Sequence, residues 1–202
     1  GGTDVSAIIS PFTPYHGWIE IVAGCMYSGK SEELIRRLRR ASIAKQTVAA
    51  FKPKIDDRYH PTDIATHTGA KIRSTPVGSA DELYERAKSF DVVGVDEAQF
   101  FDPALPEVVD LMGTLGKRVV LAGLDRDFRG LPFGSMPQLL ALADDVTKLR
   151  AVCVVCGGPA THTFRTSAAN QELVAVGSTD LYEARCRFHW LEGIKNAEIV
   201  GV

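Results

Sequence analysis

Trp18-Ile19-Glu20-Ile21-Val22-Ala23 runs directly into Gly24-Cys25-Met26-Tyr27-Ser28-Gly29-Lys30-Ser31. The first six residues form a short β-prone run, and beyond Ser31 the residues Leu34, Ile35, Leu38 and Ile43 recur at helical spacing. Between strand and helix stands a complete G-x-x-x-x-G-K-S pattern. In such a loop the glycines let successive backbone N–H groups turn inward onto phosphate oxygens. Lys30 adds a positive charge near the β and γ phosphates, and the Ser31 hydroxyl can ligate Mg²⁺. Residues 24–31 therefore predict a nucleoside triphosphate with magnesium as ligand.

Outward from this stretch, strands and helices alternate. Thr47 to Phe51 reads as a strand, Ala80 to Ser89 as a helix and Asp91 to Asp96 as a buried strand. Pro106 to Leu115 reads as a helix closed by Gly116, Arg118 to Gly123 as another buried strand and Pro137 to Ala143 as another helix. Lys52 to Pro76 is polar, with Pro53, Pro61 and Gly69, and is expected to be an excursion outside the core. The alternation predicts an α/β fold, a P-loop (RecA-like) parallel sheet with helices on both faces. At Lys148 the chain becomes β-rich and cysteine-punctuated. The expected division is an arm over 1–17, a nucleotide-binding domain over 18–149, a small zinc-binding lid over 150–192 and a tail over 193–202.

Composition narrows the partners. The chain has 202 residues, 45% apolar and 24% charged, enough for a real core. With 23 basic against 25 acidic residues the net charge is −2, which argues against a general attraction to nucleic acid. No run approaches the roughly 18 apolar residues of a membrane span. The first seventeen residues lack the basic and apolar regions of a secretory signal, so a cytoplasmic location is expected. The four cysteines are not spaced as a disulfide framework.

Val92-Val93-Gly94-Val95-Asp96-Glu97 supplies a second half for the phosphate site. A buried strand would carry Asp96 to the carboxyl end of the sheet, where it can hold Mg²⁺ beside Ser31. Glu97 can then face the γ-phosphate. It can orient a water, as in an ATPase, or accept a proton from a substrate hydroxyl, as in a kinase. The spacing of the pair does not choose between them.

Cys153-Val154-Val155-Cys156 is followed by Gly157-Gly158, and Cys186-Arg187-Phe188-His189 closes a segment of residues 157–185. Three thiolates and one imidazole describe a closed, structural zinc site, set against a buried cysteine pair or a redox C-x-x-C. A zinc clamp at the base of this segment would suit a substrate lid. Phe100, Phe101, Phe128 and Phe133 fall in loops on the expected active side, where a flat apolar pocket could take a nucleobase. Arg58 and Arg165 are candidate contacts to phosphate or to transition-state charge. Arg36-Arg37 and Arg39-Arg40 read as the solvated face of the first helix. His60, His67 and His162 carry no partner signal.

Taken in order, Gly24 to Ser31, Asp57-Arg58-Tyr59, Thr66-His67, Asp96-Glu97-Ala98-Gln99-Phe100-Phe101, Gly123-Leu124-Asp125, Phe128, Pro132-Phe133-Gly134, Ala151-Val152-Cys153 with Cys156, and Tyr182 with Cys186 resemble the type II thymidine kinases. That family is shared by bacteria and the animal cytosol. The resemblance runs from about Gly17 to His189. It implies transfer of the ATP γ-phosphoryl group to the 5′-hydroxyl of thymidine, giving thymidylate, by a homotetramer. It implies Glu97 as catalytic base, Ser31 and Asp96 on the magnesium side, and Arg58 and Gln99 as further contacts at the nucleotide site. Met26, Phe101, Leu124, Phe128, Phe133, Thr163, Arg165 and Tyr182 fall at its thymidine pocket. Leu173, Val174, Ala175, Val176 and Gly177 fall on the segment whose backbone reads the pyrimidine edge. Two positions depart from the pattern. Cys25 replaces a common Pro and adds an oxidisable thiol, and His189 stands where some members have a fourth Cys.

Overall fold

The computed structural model describes residues 16–55, 63–65, 71–166 and 181–199. The strands are β1 (Trp18–Gly24), β2 (Val48–Pro53), β3 (Asp63–Ala65), β4 (Lys71–Val77), β5 (Val92–Val95), β6 (Arg118–Leu124), β7 (Asp145–Leu149), β8 (Ala151–Val152), β9 (Pro159–Ala160), β10 (His162–Arg165) and β11 (Tyr182–Arg185). The helices are α1 (Lys30–Ile43), α2 (Ala80–Ala87), α3 (Leu105–Thr114), α4 (Met136–Leu142) and α5 (Arg187–Ile199). Strands β1 to β7 form one seven-stranded sheet in the order β3-β4-β2-β5-β6-β1-β7. All neighbours run parallel except β3, which lies antiparallel on β4 at the edge. This is the expected α/β P-loop architecture.

The sheet is a middle layer because its central strands are apolar on both faces. On one face Ile19, Ile21, Val93, Val95, Val119 and Leu121 pack under α2, α3 and α4 through Leu83, Leu105, Val109, Met112 and Leu139. On the other face Val22, Ala50, Val120 and Ala122 meet α1 through Leu34, Ile35, Leu38 and Ala41. Gly94 permits that contact. A Cβ there would stand 2.5 Å from Leu38 Cδ1. At about 25 cal/mol per Å² of apolar area removed from water, these two faces dominate the stability of the fold.

The structure departs from the sequence reading at three places. Lys52 to Pro76 is not wholly an excursion, because its last part belongs to β4, a strand inside the sheet. Ser74 and Thr75 pair with Ala50 and Phe51, and Val77 is fully buried. Polar residues and Pro76 hid it. Pro76 pairs with Lys52 beyond the reach of β3, so its missing N–H is tolerated. β7 was likewise not foreseen. It is a polar strand that, among the described residues, hydrogen-bonds to β1 only and so stands at the sheet edge, where charge tends to guard against further pairing.

Arg37 is also not solvated. Its side chain is 11% exposed. It reaches Glu20 Oε1 at 3.1 Å and Thr147 Oγ1 at 3.1 Å, while Arg118 closes on the other side of Glu20. Arg36, Arg39 and Arg40 remain on the exposed face.

After β7 the chain builds two small antiparallel pairs, β8 with β9 and β10 with β11. α5 then continues across residue 193 to Ile199. No helix among the described residues is long and apolar enough to cross a membrane.

Candidate active site and metal centre

Parallel register brings the carboxyl ends of the central strands to one edge. Gly24 stands beside Leu124 and Leu149, and Val95 pairs with Leu121. β6 therefore lies between the strand that launches the phosphate loop and the strand that carries Asp96. The crevice above them is where parallel α/β sheets bind ligands.

The phosphate loop is held by its own side chains and backbone. Ser28 Oγ donates to the Cys25 carbonyl at 2.7 Å, and Lys30 Nζ donates to the same oxygen at 2.7 Å. Gly29 has φ 89°, a left-handed conformation that glycine adopts without strain, and α1 begins at the next residue. Ser31 is half-buried in the first turn of α1. Burial lowers the Lys30 ammonium below its ordinary pKa. The negative charges of Glu97, Asp96 and Asp125 act on it in the opposite sense.

Across the crevice, Asp96 N–H is tied to the Phe51 carbonyl at 2.9 Å, and Asp96 Oδ1 accepts the Glu97 N–H at 3.0 Å. Burial, and then the neighbouring Glu97 charge, raises the Asp96 carboxyl above the usual range. A cation beside Asp96 would offset that cost, which fits this residue to a metal-bound phosphate. Glu97 has φ 54°, a left-handed backbone that is uncommon for a non-glycine residue.

Gln99 explains how that conformation is held. Its Oε1 accepts the Leu124 N–H at 3.1 Å, and its Nε2 donates to Glu97 Oε2 at 3.0 Å. A backbone N–H only donates, so the amide orientation is forced, and Glu97 faces a donor. Gln99 is itself buried. Gly123 and Gly134 leave it room, since Cβ atoms there would stand 2.8 Å from Gln99 Oε1 and 2.5 Å from its carbonyl oxygen.

The residues matched to a nucleoside pocket are spread around this centre. Leu124 is half-buried at the end of β6, and Phe101 packs in the core beside Leu105. Phe133 meets the exposed Phe100 edge-on at 5.2 Å. The Arg165 guanidinium stacks over Phe128 at 4.9 Å. Met26 N–H donates to Thr163 Oγ1 at 3.2 Å, and the Tyr27 hydroxyl donates to the Tyr182 carbonyl at 3.3 Å. Arg58 and Leu173, Val174, Ala175, Val176 and Gly177 lie outside the described residues. Cys25 is buried, with its thiol on the Ala160 carbonyl at 3.4 Å, and burial raises its pKa. A protonated, enclosed thiol is a poor target for oxidants.

Cys153, Cys156, Cys186 and His189 present four ligand atoms within 4.8 Å of one another. Cys156 and Cys186 sulfurs are 3.9 Å apart, close to the edge of a tetrahedron with bonds of about 2.3 Å. Cys186 Sγ is 3.1 Å from His189 Nδ1. Gly158 N–H points at Cys156 Sγ and His189 N–H at Cys186 Sγ. Burial opposes ionisation of Cys153, but the backbone groups of Cys186, Cys156 and Val155 outweigh it and bring the thiol down to about 6. A donor set that favours thiolates fits a metal such as zinc.

Sequence reasoning missed two residues. His162 is buried, accepts from Arg126 at 2.7 Å through Nε2 and donates to Thr161 Oγ1 at 2.8 Å through Nδ1. Trp190 lies over His162 at 4.9 Å and shares its Nε1–H between the carbonyls of Phe128 and Thr163. Both knit the loop after β6 to β10, and neither has a local pattern to announce it. A protein-family model described as thymidine kinase matches residues 17–190.

Proposed function

The chain belongs to the thymidine kinase family, and from that premise we propose that it transfers the γ-phosphoryl group of ATP to the 5′-hydroxyl of thymidine, giving dTMP and ADP. The observation that carries the proposal is the Glu97–Gln99–Leu124 chain of hydrogen bonds, which aims a carboxylate at the same strand edge as the phosphate loop.

Residues 24–31 cradle the phosphates, with Lys30 supplying charge. Ser31 and Asp96 would hold Mg²⁺, which neutralises charge on the transferring phosphoryl group. Glu97 orients the nucleoside hydroxyl. A carboxylate is too weak a base to ionise a primary alcohol in the ground state, so it takes the proton late, as the new P–O bond forms. Little covalent chemistry falls to the protein, and the rate comes from alignment and charge neutralisation. Phe128, Phe133, Leu124, Thr163, Arg165 and Tyr182 surround the nucleoside, and the backbone of 173–177 reads the pyrimidine edge. Arg58 joins the nucleotide contacts. Cys153, Cys156, Cys186 and His189 hold zinc as a structural clamp, and a homotetramer in the cytoplasm completes the proposal.

The test is labelled ATP offered with a panel of nucleosides and with single-stranded DNA. Thymidine should be the preferred acceptor. Glu97→Gln should lower kcat by about 100-fold or more, while the thymidine Kd stays within about twofold. DNA-stimulated ATP hydrolysis with no nucleoside phosphorylated would overturn the proposal.

A further inference from the structure

Three consecutive residues of the phosphate loop are fastened to β9, β10 and β11, the strands that lie between the two pairs of candidate metal ligands. Cys25 Sγ donates to the Ala160 carbonyl on β9. Met26 N–H donates to Thr163 Oγ1 on β10. The Tyr27 hydroxyl donates to the Tyr182 carbonyl on β11. The contact is also apolar, because Cys25 is buried in one cluster with Ala151, Cys153, Ala160 and Ala184, and Cys186 packs against it. Two of the four metal ligands thus share a small core with the loop.

A phosphate loop needs outside support. Tyr27 holds φ 67°, a left-handed backbone that is uncommon without glycine. Such conformations persist when the surroundings over-determine them. Here the surroundings are β9, β10 and β11. These strands are two to four residues long, too short to be stable by pairing alone. They gain order from the thiolate and imidazole ligands that bring residues 153–156 and 186–189 together.

We propose that the metal-bound module is the outer frame of the phosphate loop, and that Thr163 is a positioning residue for the nucleotide. Metal occupancy holds β9 to β11, these strands hold residues 25–27, and nucleotide affinity depends on both. The proposal rests on reading residues 24–31 as the nucleotide site but not on which nucleoside is phosphorylated.

The experiment uses the full chain, zinc-loaded and after zinc removal by a chelator. It measures the Kd of Mg²⁺–ADP directly, together with hydrogen exchange at residues 24–31 and in α3. Zinc removal should weaken Mg²⁺–ADP at least about tenfold and speed exchange at 24–31 while α3 stays protected. In the zinc-loaded protein, Thr163→Val should weaken Mg²⁺–ADP about fivefold, the scale of one hydrogen bond. Thr163→Ser, which keeps the acceptor, should return it to within about twofold. A Thr163 that only lines a nucleoside pocket would change thymidine affinity and leave Mg²⁺–ADP untouched. The Thr163 pair remains decisive if zinc removal unfolds α3 as well. Unchanged Mg²⁺–ADP affinity in Thr163→Val overturns the proposal, as does unchanged affinity and protection at 24–31 in zinc-free protein. Failure of zinc-loaded wild type to bind Mg²⁺–ADP overturns the nucleotide site itself. Binding of Mg²⁺–ADP without phosphorylation of thymidine overturns the kinase reading alone.

Discussion

Gln99 carries more of the site than its sequence position suggests. Its amide is the only link, among the described residues, between the Glu97 carboxylate and the end of β6. Gln99→Leu keeps the volume but leaves Glu97 without that donor and the Leu124 N–H without its acceptor. An unsatisfied buried donor costs about 1–3 kcal/mol, and Glu97 is freed to leave its left-handed backbone. Steady-state kinetics should show kcat reduced by about 10-fold or more with KM for ATP little changed. An equal rise in KM for ATP would instead place Gln99 among the phosphate contacts. The candidate chemistry that sequence proposed, Lys30, Ser31, Asp96, Glu97 and the four candidate metal ligands, is written in short local patterns. Gln99 and Thr163 were visible only by resemblance, and their partners lie 25 and 137 positions away. No periodicity records such a distance.

At the scale of elements, α1 is the piece that ties the proposed phosphate loop to the sheet. Its apolar face was legible from spacing, because Leu34, Ile35 and Leu38 repeat as a helix must. Its polar face was misread at Arg37. Glu20 sits on β1 among apolar neighbours, 4% exposed, and is bracketed by Arg37 from α1 and Arg118 from β6. Removing one partner of a buried ion pair leaves uncompensated charge and costs about 3–5 kcal/mol. Arg36, paired to Glu33 at 2.7 Å but 58% exposed, is worth about 0–1 kcal/mol. Urea unfolding should therefore show a large drop in midpoint for Glu20→Gln and almost none for Arg36→Ala. Similar losses in both would mean that Glu20 is hydrated in solution. A sequence shows neighbouring arginines as one basic patch, whereas adjacent helical positions differ by about 100° in direction.

At the scale of the whole molecule, the sheet and the C-terminal strands meet through the phosphate loop and through the loop after β6. His162 sits in the second contact. Burial first, and then the Arg126 charge, lowers its pKa from 6.5 to about 4. The native protein thus keeps His162 neutral where the unfolded chain binds a proton. The resulting stability is fully present above about 6.5 and is lost as pH falls toward about 4, a change on the order of 1–3 kcal/mol. Thermal unfolding from pH 7.5 to 4 should show wild type losing more stability than His162→Gln. Parallel pH curves would rule out a neutral, buried His162.

From sequence alone came the α/β architecture, the loop proposed to bind phosphate, the acidic strand end opposite it and the candidate metal ligands. Each depends on local spacing, on chain direction or on ligand types that chemistry restricts. Only the tertiary structure decided that β4 and β7 join the sheet, that Arg37 is buried, and that residues 25–27 lean on β9 to β11. Those outcomes arise from contacts between distant segments, where burial and hydrogen-bond satisfaction override what composition suggests for any one segment.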